Sequence, residues 1–363
     1  TMTPGAGEDR WGGPAAANLK WETTNQFNAG LDVAFLNNRV NLVVDLYYKK
    51  TTDLLQYRYI DMSSGFNQIA CNYGSVTNKG LEITAHVIPV KTRDWMWTLD
   101  ANISFNRNEI GGLNADQFSD VAWGIESMFL RRNGHPIGTL YGYVEDGFYD
   151  NEAEVRADPY YRDATPSKVK SMVGQVKYKN LDDDPVIDDR DKTIIGDTNP
   201  DYQYGITSTL NWKKWTFSFF LQGTQGNDIL NVNLKQFDVA VGSGNMPYFV
   251  FNNRWTPENR AAAKWPRADG TFTRAMKASD RYIVDGSYLR CKNISLSYNW
   301  AHPVKFVESI NIVASITNLF TISGYEWYDP DVNAFGSDPT RRGVDMSSYP
   351  SARTFNLGIQ LAF

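Results

Sequence analysis

Apolar and polar residues alternate along much of this chain. In the last segment Phe355, Leu357, Ile359, Leu361 and Phe363 alternate with Asn356, Gly358, Gln360 and Ala362. Earlier, Trp95, Trp97, Leu99, Ala101, Ile103 and Phe105 alternate with Thr98, Asp100, Asn102, Ser104 and Asn106. Trp215, Phe217, Phe219 and Leu221 stand against Thr216, Ser218 and Gln222. A period of two marks a strand with one apolar face. The same pattern recurs over 27–35, 42–48, 81–87, 202–212, 294–300 and 310–316. It predicts nine long strands, near 22–36, 39–55, 75–90, 95–109, 200–212, 214–227, 281–300, 307–320 and 350–363.

The connections alternate between short and long. Asn37-Asn38, 91–94, Lys213 and 301–306 are short, whereas 56–74, 110–199, 228–280 and 321–349 are long. Outer-membrane barrels have short periplasmic turns and long extracellular loops. A soluble sandwich has no reason to sort its connections in this way. With the end of the last strand on the periplasmic side, every short connection falls there too. The predicted fold is therefore all-β, a transmembrane antiparallel β-barrel. Trp95, Trp97, Trp212, Trp215 and Trp300 flank the short turns. Tryptophan at a membrane–water interface forms the girdle of such a barrel, so these five are the predicted girdle against the lipid bilayer.

Composition narrows the picture. No run of about 18 apolar residues exists, which excludes a transmembrane helix. The mean hydropathy of −0.44 does not exclude a barrel, which carries its apolar residues at every second position. The net charge of −5 comes with no basic stripe, so no nucleic-acid partner is expected. Cys71 and Cys291 form neither a disulfide framework nor a metal-ligand spacing. There is no phosphate loop, no zinc-protease motif and no nucleophile elbow, so an enzyme is not expected. Residues 1–21 read as the remnant of an extracellular loop, and 22–363 as barrel. No signal peptide is visible. An odd number of strands cannot close a single-chain bacterial barrel, and lipid does not tolerate an open edge. The missing strands are expected from an N-terminal part of the same polypeptide.

Several blocks resemble the SusC-like family of TonB-dependent outer-membrane transporters. They are LKWETTNQFNAGLDVAFLNNRVNLVVDLYYKKTTDLL (19–55), NYGSVTNKGLEI (72–83), GHPIGTLYGYVEDGFYD (134–150), DKTIIGDTNPDYQYGITSTLNW (191–212) and SDRYIVDGSYLRCKNISLSYNW (279–300). The terminal strand ending at Phe363 fits as well. The blocks occur in the family's order from about residue 19 onward. The resemblance implies the C-terminal part of a barrel of about 22 strands, plugged by an N-terminal domain. It also implies a SusD-like surface lipoprotein as lid, and energy from the TonB complex acting through the N-terminal part. The implied function is import of large nutrients, oligosaccharides or oligopeptides. A passive outer-membrane porin is the alternative, and a soluble sugar-binding β-protein the third reading.

Several local features are candidate sites. Asn180, Asp182, Asp184, Val186 (through its carbonyl), Asp188 and Asp191 match the spacing of a calcium-binding loop. Pro185 stands where that loop wants glycine, and Arg190 adds positive charge. The segment therefore reads either as a cation site, with calcium as the possible cofactor, or as an acidic surface loop of the same shape. Trp327, Tyr328 and Asp329, with Tyr248, Phe249 and Trp255, lie in long loops. Aromatics there can stack on sugars, meet a lid protein or pack within their own loop. Asp32, Asp45, Glu82, Asp100, Asn102 and His86 are expected to face the lumen. Phe363, a terminal aromatic on an amphipathic strand, resembles the signal read by the barrel-assembly machinery.

Overall fold

The computed structural model describes residues 19–363 apart from 67, 122–126, 183, 236–245 and 269–276. Most of the segment read as a loop remnant, 1–18, lies outside the described residues. Nine strands form one antiparallel sheet: β1 Thr23–Phe35, β2 Val40–Thr52, β3 Ser75–Lys91, β4 Trp95–Gly111, β5 Tyr202–Trp212, β6 Trp215–Gln225, β7 Tyr288–Val304, β8 Val307–Ser323 and β9 Thr354–Ala362. Each strand pairs with the next in chain order, so β1 and β9 are the two edges of the described sheet. Among the described residues no helix is long and apolar enough to cross a membrane.

The short turns owe their geometry to residues that accept a left-handed backbone. Leu36, Asn37 and Asn38 have φ of 54°, 55° and 60°, a region in which asparagine is several-fold enriched. Lys213 has φ of 52° and reverses the chain so that Trp212 pairs with Trp215. Between β3 and β4, Thr92 Oγ1 accepts from the Trp95 amide at 3.0 Å.

Four boundaries differ from the sequence reading. The segment 39–55 breaks at Asp53, whose φ of 56° ends β2, and Leu55–Tyr59 starts a separate hairpin with Gln68–Asn72. Residues 281–287 leave the sheet, because Ile283–Asp285 pairs with Asp228–Asn231 instead. The connection 301–306 is mostly strand: β7 and β8 run on through an irregularity between Ala301 and Val304. The last strand begins at Thr354 rather than near 350.

The long connections are folded. Residues 110–199 hold a four-stranded sheet in the order Thr193–Asp197, Thr139–Gly142, Phe129–Arg131, Gln117–Ser119. They also hold α1 (Glu152–Ala157) and α2 (Pro166–Met172). Asn151 caps α1 by accepting the Glu154 amide at 2.9 Å, and Thr165 caps α2 ahead of a proline in its first turn. Val155 and Val169, one from each helix, are buried with Tyr149 in a small core of their own. Asp228–Asn231 pairs antiparallel with Ile283–Asp285 of its own loop and parallel with Val344–Asp345, which joins two loops in one small sheet. Met128, Phe129, Leu140, Leu230, Val232, Tyr282 and Val344 are buried together above it. Each such side chain contributes roughly 1.5–3 kcal/mol on burial. The three loops after β4, β6 and β8 thus form one cap with a shared core.

Candidate functional site

The register decides which side chains share a face, because successive residues of a strand point to opposite sides. Asp45 of β2 lies directly opposite Gly30 and Glu82, and Glu82 opposite Ser104. Two rows away, His86 is opposite Asn41 and Asp100, and its Nδ1 lies 2.6 Å from Asp100 Oδ1. Asp32 and Asn102 fall on the same face, in a row shared with Val43 and Thr84. On β5–β9 this face carries amides and hydroxyls such as Thr207, Thr209, Ser218, Gln222, Ser315 and Asn356. Thr209 and Ser218 are bonded Oγ to Oγ at 3.0 Å. The polar face thus has an acidic sector on β1–β4 and a mostly uncharged one on β5–β9, where Arg290 lies opposite Gln222, a division that becomes visible once the strands are in register. The sequence-predicted lumen residues are brought together as one wall.

On the opposite face the tryptophans form a row beside the short turns. Trp95 stacks on Trp212 with ring centroids 5.4 Å apart, and Trp215 meets Tyr298 at 4.7 Å. Trp97 Nε1 donates to Ser208 Oγ at 3.0 Å. Trp300 is exposed and faces Ile310 of β8. Phe363 follows β9 and is exposed.

Above the wall, the loop candidates separate into two groups. Tyr248 is 79% exposed on the short helix α3 (Tyr248–Asn253), and Phe249 beside it meets Trp265 at 6.0 Å. Tyr328 is exposed and packs edge-on against the half-buried Trp327 at 5.3 Å. Trp255 and Asp329 are buried instead. Trp255 donates its Nε1 to Asp150 Oδ1 at 3.1 Å, inside the cap. The Asp329 carboxylate pairs with the Arg290 guanidinium and accepts the amides of Asp331 and Ser351 at 2.9 and 3.1 Å. Both residues are cap structure, not free contacts for a ligand. Burial pushes the Asp329 carboxyl up, but the hydrogen bonds from Ser351, Asp331 and Arg290 outweigh it and hold it below the usual carboxylate range.

The acidic loop is built around a cation of its own. Arg190 reaches Asp182 at 3.3 Å and Asp188 at 2.9 Å, and also pairs with Asp184. The Arg190 hydrogen bonds hold the Asp188 carboxyl below its usual value. Asp191 is buried and accepts the Leu181 and Asp188 amides at 2.7 and 2.8 Å, while Asn180 donates to the Asp184 carbonyl. The Val186 amide bonds to Asp184 Oδ1 at 2.7 Å. Three carboxylates of the predicted ligand set are therefore occupied by a guanidinium, and this arrangement does not fit a calcium ion. Among the described residues, no cluster of three or more His, Cys, Asp or Glu side chains is placed to hold a metal.

Residues that sequence reasoning passed over hold the cap together. Asp345 is fully buried and accepts the Tyr325 hydroxyl at 2.5 Å and the Ser348 amide at 3.0 Å. Asn231 caps its turn by accepting the Asn233 amide at 3.1 Å. Their only sequence signal is a polar residue beside a short apolar run, which is too common to single them out.

A polar inner wall, an outer apolar face with an aromatic row, and a folded cap form the architecture of a large outer-membrane barrel. The model of the family "TonB dependent receptor-like, beta-barrel" matches residues 1–319. The chain belongs to this family. Family members are outer-membrane barrels, which agrees with the predicted location. The TonB-dependent receptor P3 of Formosa agariphila is 33% identical over 95% of this chain and 34% of its own length. The TonB-dependent receptor SusC of Bacteroides thetaiotaomicron is 32% identical over 95% of this chain and 32% of its own length. Among solved structures, the RagAB peptide importer in the "open-open" state shares the fold, with a TM-score of 0.73 and 22% identity. That match covers 97% of this chain and 36% of the other. The chain thus spans about a third of the length of its relatives, and it supplies TonB-dependent receptor barrel wall and cap.

Proposed function

We propose that the chain forms part of the barrel wall and the extracellular cap of an energy-dependent importer of large nutrients, oligosaccharides or oligopeptides. The observation that carries this reading is the interlocked cap over a polar wall. A passive pore works with loops that leave its mouth open, whereas a captured ligand needs walls on several sides. In this reading the unpaired edges of β1 and β9 are completed by further strands of the same transporter, because lipid leaves no backbone edge unsatisfied. A plug domain fills the lumen against the polar wall, and the TonB complex acts through that plug. A SusD-like lipoprotein closes over the cap, where Tyr248, Phe249 and Tyr328 are exposed. The tryptophan row sits at the periplasmic interface of the bilayer.

The test is uptake by cells carrying the full-length transporter, with and without a protonophore, together with purification in mild detergent. Uptake that stops with the protonophore, and a co-purifying surface lipoprotein, are the expected results. Uptake that continues unchanged without the proton-motive force refutes the importer and leaves a porin.

A further inference from the structure

The four short turns, 36–39, 91–94, 213–214 and 301–306, carry Arg39, Lys91, Arg93, Lys213, Lys214 and Lys305 against one acid, Asp94. The chain as a whole has a net charge of −5. Positive charge is therefore concentrated at one end of the wall, and every short turn contributes to it. All six cations are exposed, and among the described residues none of them is in a salt bridge. Like charges gathered in this way repel one another unless an anion stands nearby.

Two of these turns are tied together. The Lys213 amide donates to the Asp94 carbonyl at 2.9 Å, and the Asn299 amide of β7 donates to the Lys214 carbonyl at 2.8 Å. Arg93, Lys213 and Lys214 are thus gathered beside Trp95 and Trp212, which stack on the outer face. The Lys213 ammonium lies 5.9 Å from the centre of the Trp212 ring, so this charge stands on the outer side of the wall, not over the lumen. Apolar side chains accompany the charges. Leu36, Val304 and Phe306, in the same turns, are 67, 49 and 76% exposed. A turn that met only water, or only the polar mesh of a cell wall, would gain nothing from them. A bilayer interface suits all three kinds of residue at once. Tryptophan rings sit at headgroup level, apolar side chains enter the acyl boundary, and Lys and Arg extend their charged ends to the headgroups. An anionic leaflet attracts each such cation.

We propose that the short turns form a basic collar that binds the phosphate groups of anionic phospholipids in the leaflet beside the tryptophan row, with Arg93, Lys213 and Lys214 at its centre. The proposal goes beyond import. It rests on the wall being a transmembrane barrel, and it holds for an importer and a porin alike.

The test uses the full-length transporter in nonionic detergent and two fluorescent short-chain lipids, a phosphatidylglycerol and a phosphatidylcholine. The phosphatidylglycerol should bind at least about tenfold more tightly, and the preference should fall as salt is added. The Arg93→Gln, Lys213→Gln, Lys214→Gln variant should lose the preference. The Lys50→Gln, Lys79→Gln variant should keep it, since it removes cations from the opposite ends of β2 and β3. Equal binding of the two lipids overturns the proposal, as does a preference that the turn variant keeps or that both variants lose equally. So does retention on insoluble peptidoglycan that the turn variant abolishes while its lipid binding is untouched. If the turn variant fails to assemble, a photoactivatable phosphatidylglycerol on the unaltered protein decides. Labels on 91–97 and 212–215 are expected, and labels confined to other segments overturn the collar. Lipid binding is read without transport, so its failure leaves the importer standing.

Discussion

Arg290 of β7 and Asp329 of the last loop form a buried ion pair, with side chains 1% and 6% exposed. Arg290 also donates from Nε to Thr321 Oγ1 at 2.9 Å, on the neighbouring strand. The pair ties the cap to the wall. Removing one partner of a buried pair strands the other charge, which typically costs about 3–5 kcal/mol. In Asp329→Ala the last loop, 324–353, should become sensitive to protease while the sheet remains intact. Asp329 is held below its usual range, so its contribution is present above the unfolded value of about 3.9 and is lost as pH falls through the folded value. Protease sensitivity of this loop in the unaltered protein should therefore rise at pH below about 3.9. Resistance in Asp329→Ala equal to that of the unaltered protein would sink the claim that the pair holds the loop.

Asp228 has the opposite tendency. Burial pushes its carboxyl up, the Asp197 and Asp285 carboxylates push the same way, and the bond from the Asp197 amide at 2.8 Å only partly opposes this. A carboxyl whose folded value is raised costs stability as pH rises through the interval between its usual and its raised value. Asp228→Asn keeps an oxygen to accept the amide and loses the charge. It should strengthen the cap at neutral pH, seen as slower hydrogen exchange in Asp228–Asn231. Faster exchange there would contradict this.

Arg190 stands among Asp182, Asp184 and Asp188 where a calcium loop would hold its ion. Arg190→Gln should loosen residues 180–191 toward protease. Calcium at roughly millimolar level should restore resistance in the variant and add none to the unaltered protein. Calcium without effect on the variant would mean that the loop keeps only the shape of a metal site.

Tyr47 lies across Gly80 on the inner face, and its hydroxyl donates to Asn106 at 2.8 Å. A methyl group at Gly80 would collide with the Tyr47 ring and with the Phe105 carbonyl. Overpacking of this kind costs about 1–3 kcal/mol. Gly80→Ala should lower the thermal stability of the assembled barrel. Tyr47→Ala should recover part of that loss and not all, since the backbone clash remains. An unchanged melting temperature for Gly80→Ala would show that the wall yields freely here.

Phe363 stands exposed after the last strand. Its deletion should reduce the amount of transporter inserted in the outer membrane more than it reduces uptake per inserted molecule. Normal insertion of the deletion would refute an assembly role.

Alternation at a period of two determined the sheet. Nine strands, their order and the sorting of short and long connections follow from it, because one face meets an apolar environment and the other a wet one. The face on which each of these tryptophans and carboxylates stands follows for the same reason, since parity along a strand assigns each residue a side. Tertiary structure alone decided the cap. Its contacts join residues far apart in sequence, as Asp228–Asn231 joins Val344–Asp345, and no local period encodes such pairings. It also decided that Trp255 and Asp329 are buried, whereas Tyr248 and Tyr328 are exposed. All four are polar-tipped or aromatic loop residues, and it is the bond of Trp255 to Asp150 and the ion pair of Asp329 with Arg290, both distant in sequence, that set the buried two apart. The acidic loop shows the same limit within a dozen residues. Spacing placed its oxygens as for a metal, but the reach of one arginine side chain filled the space between them.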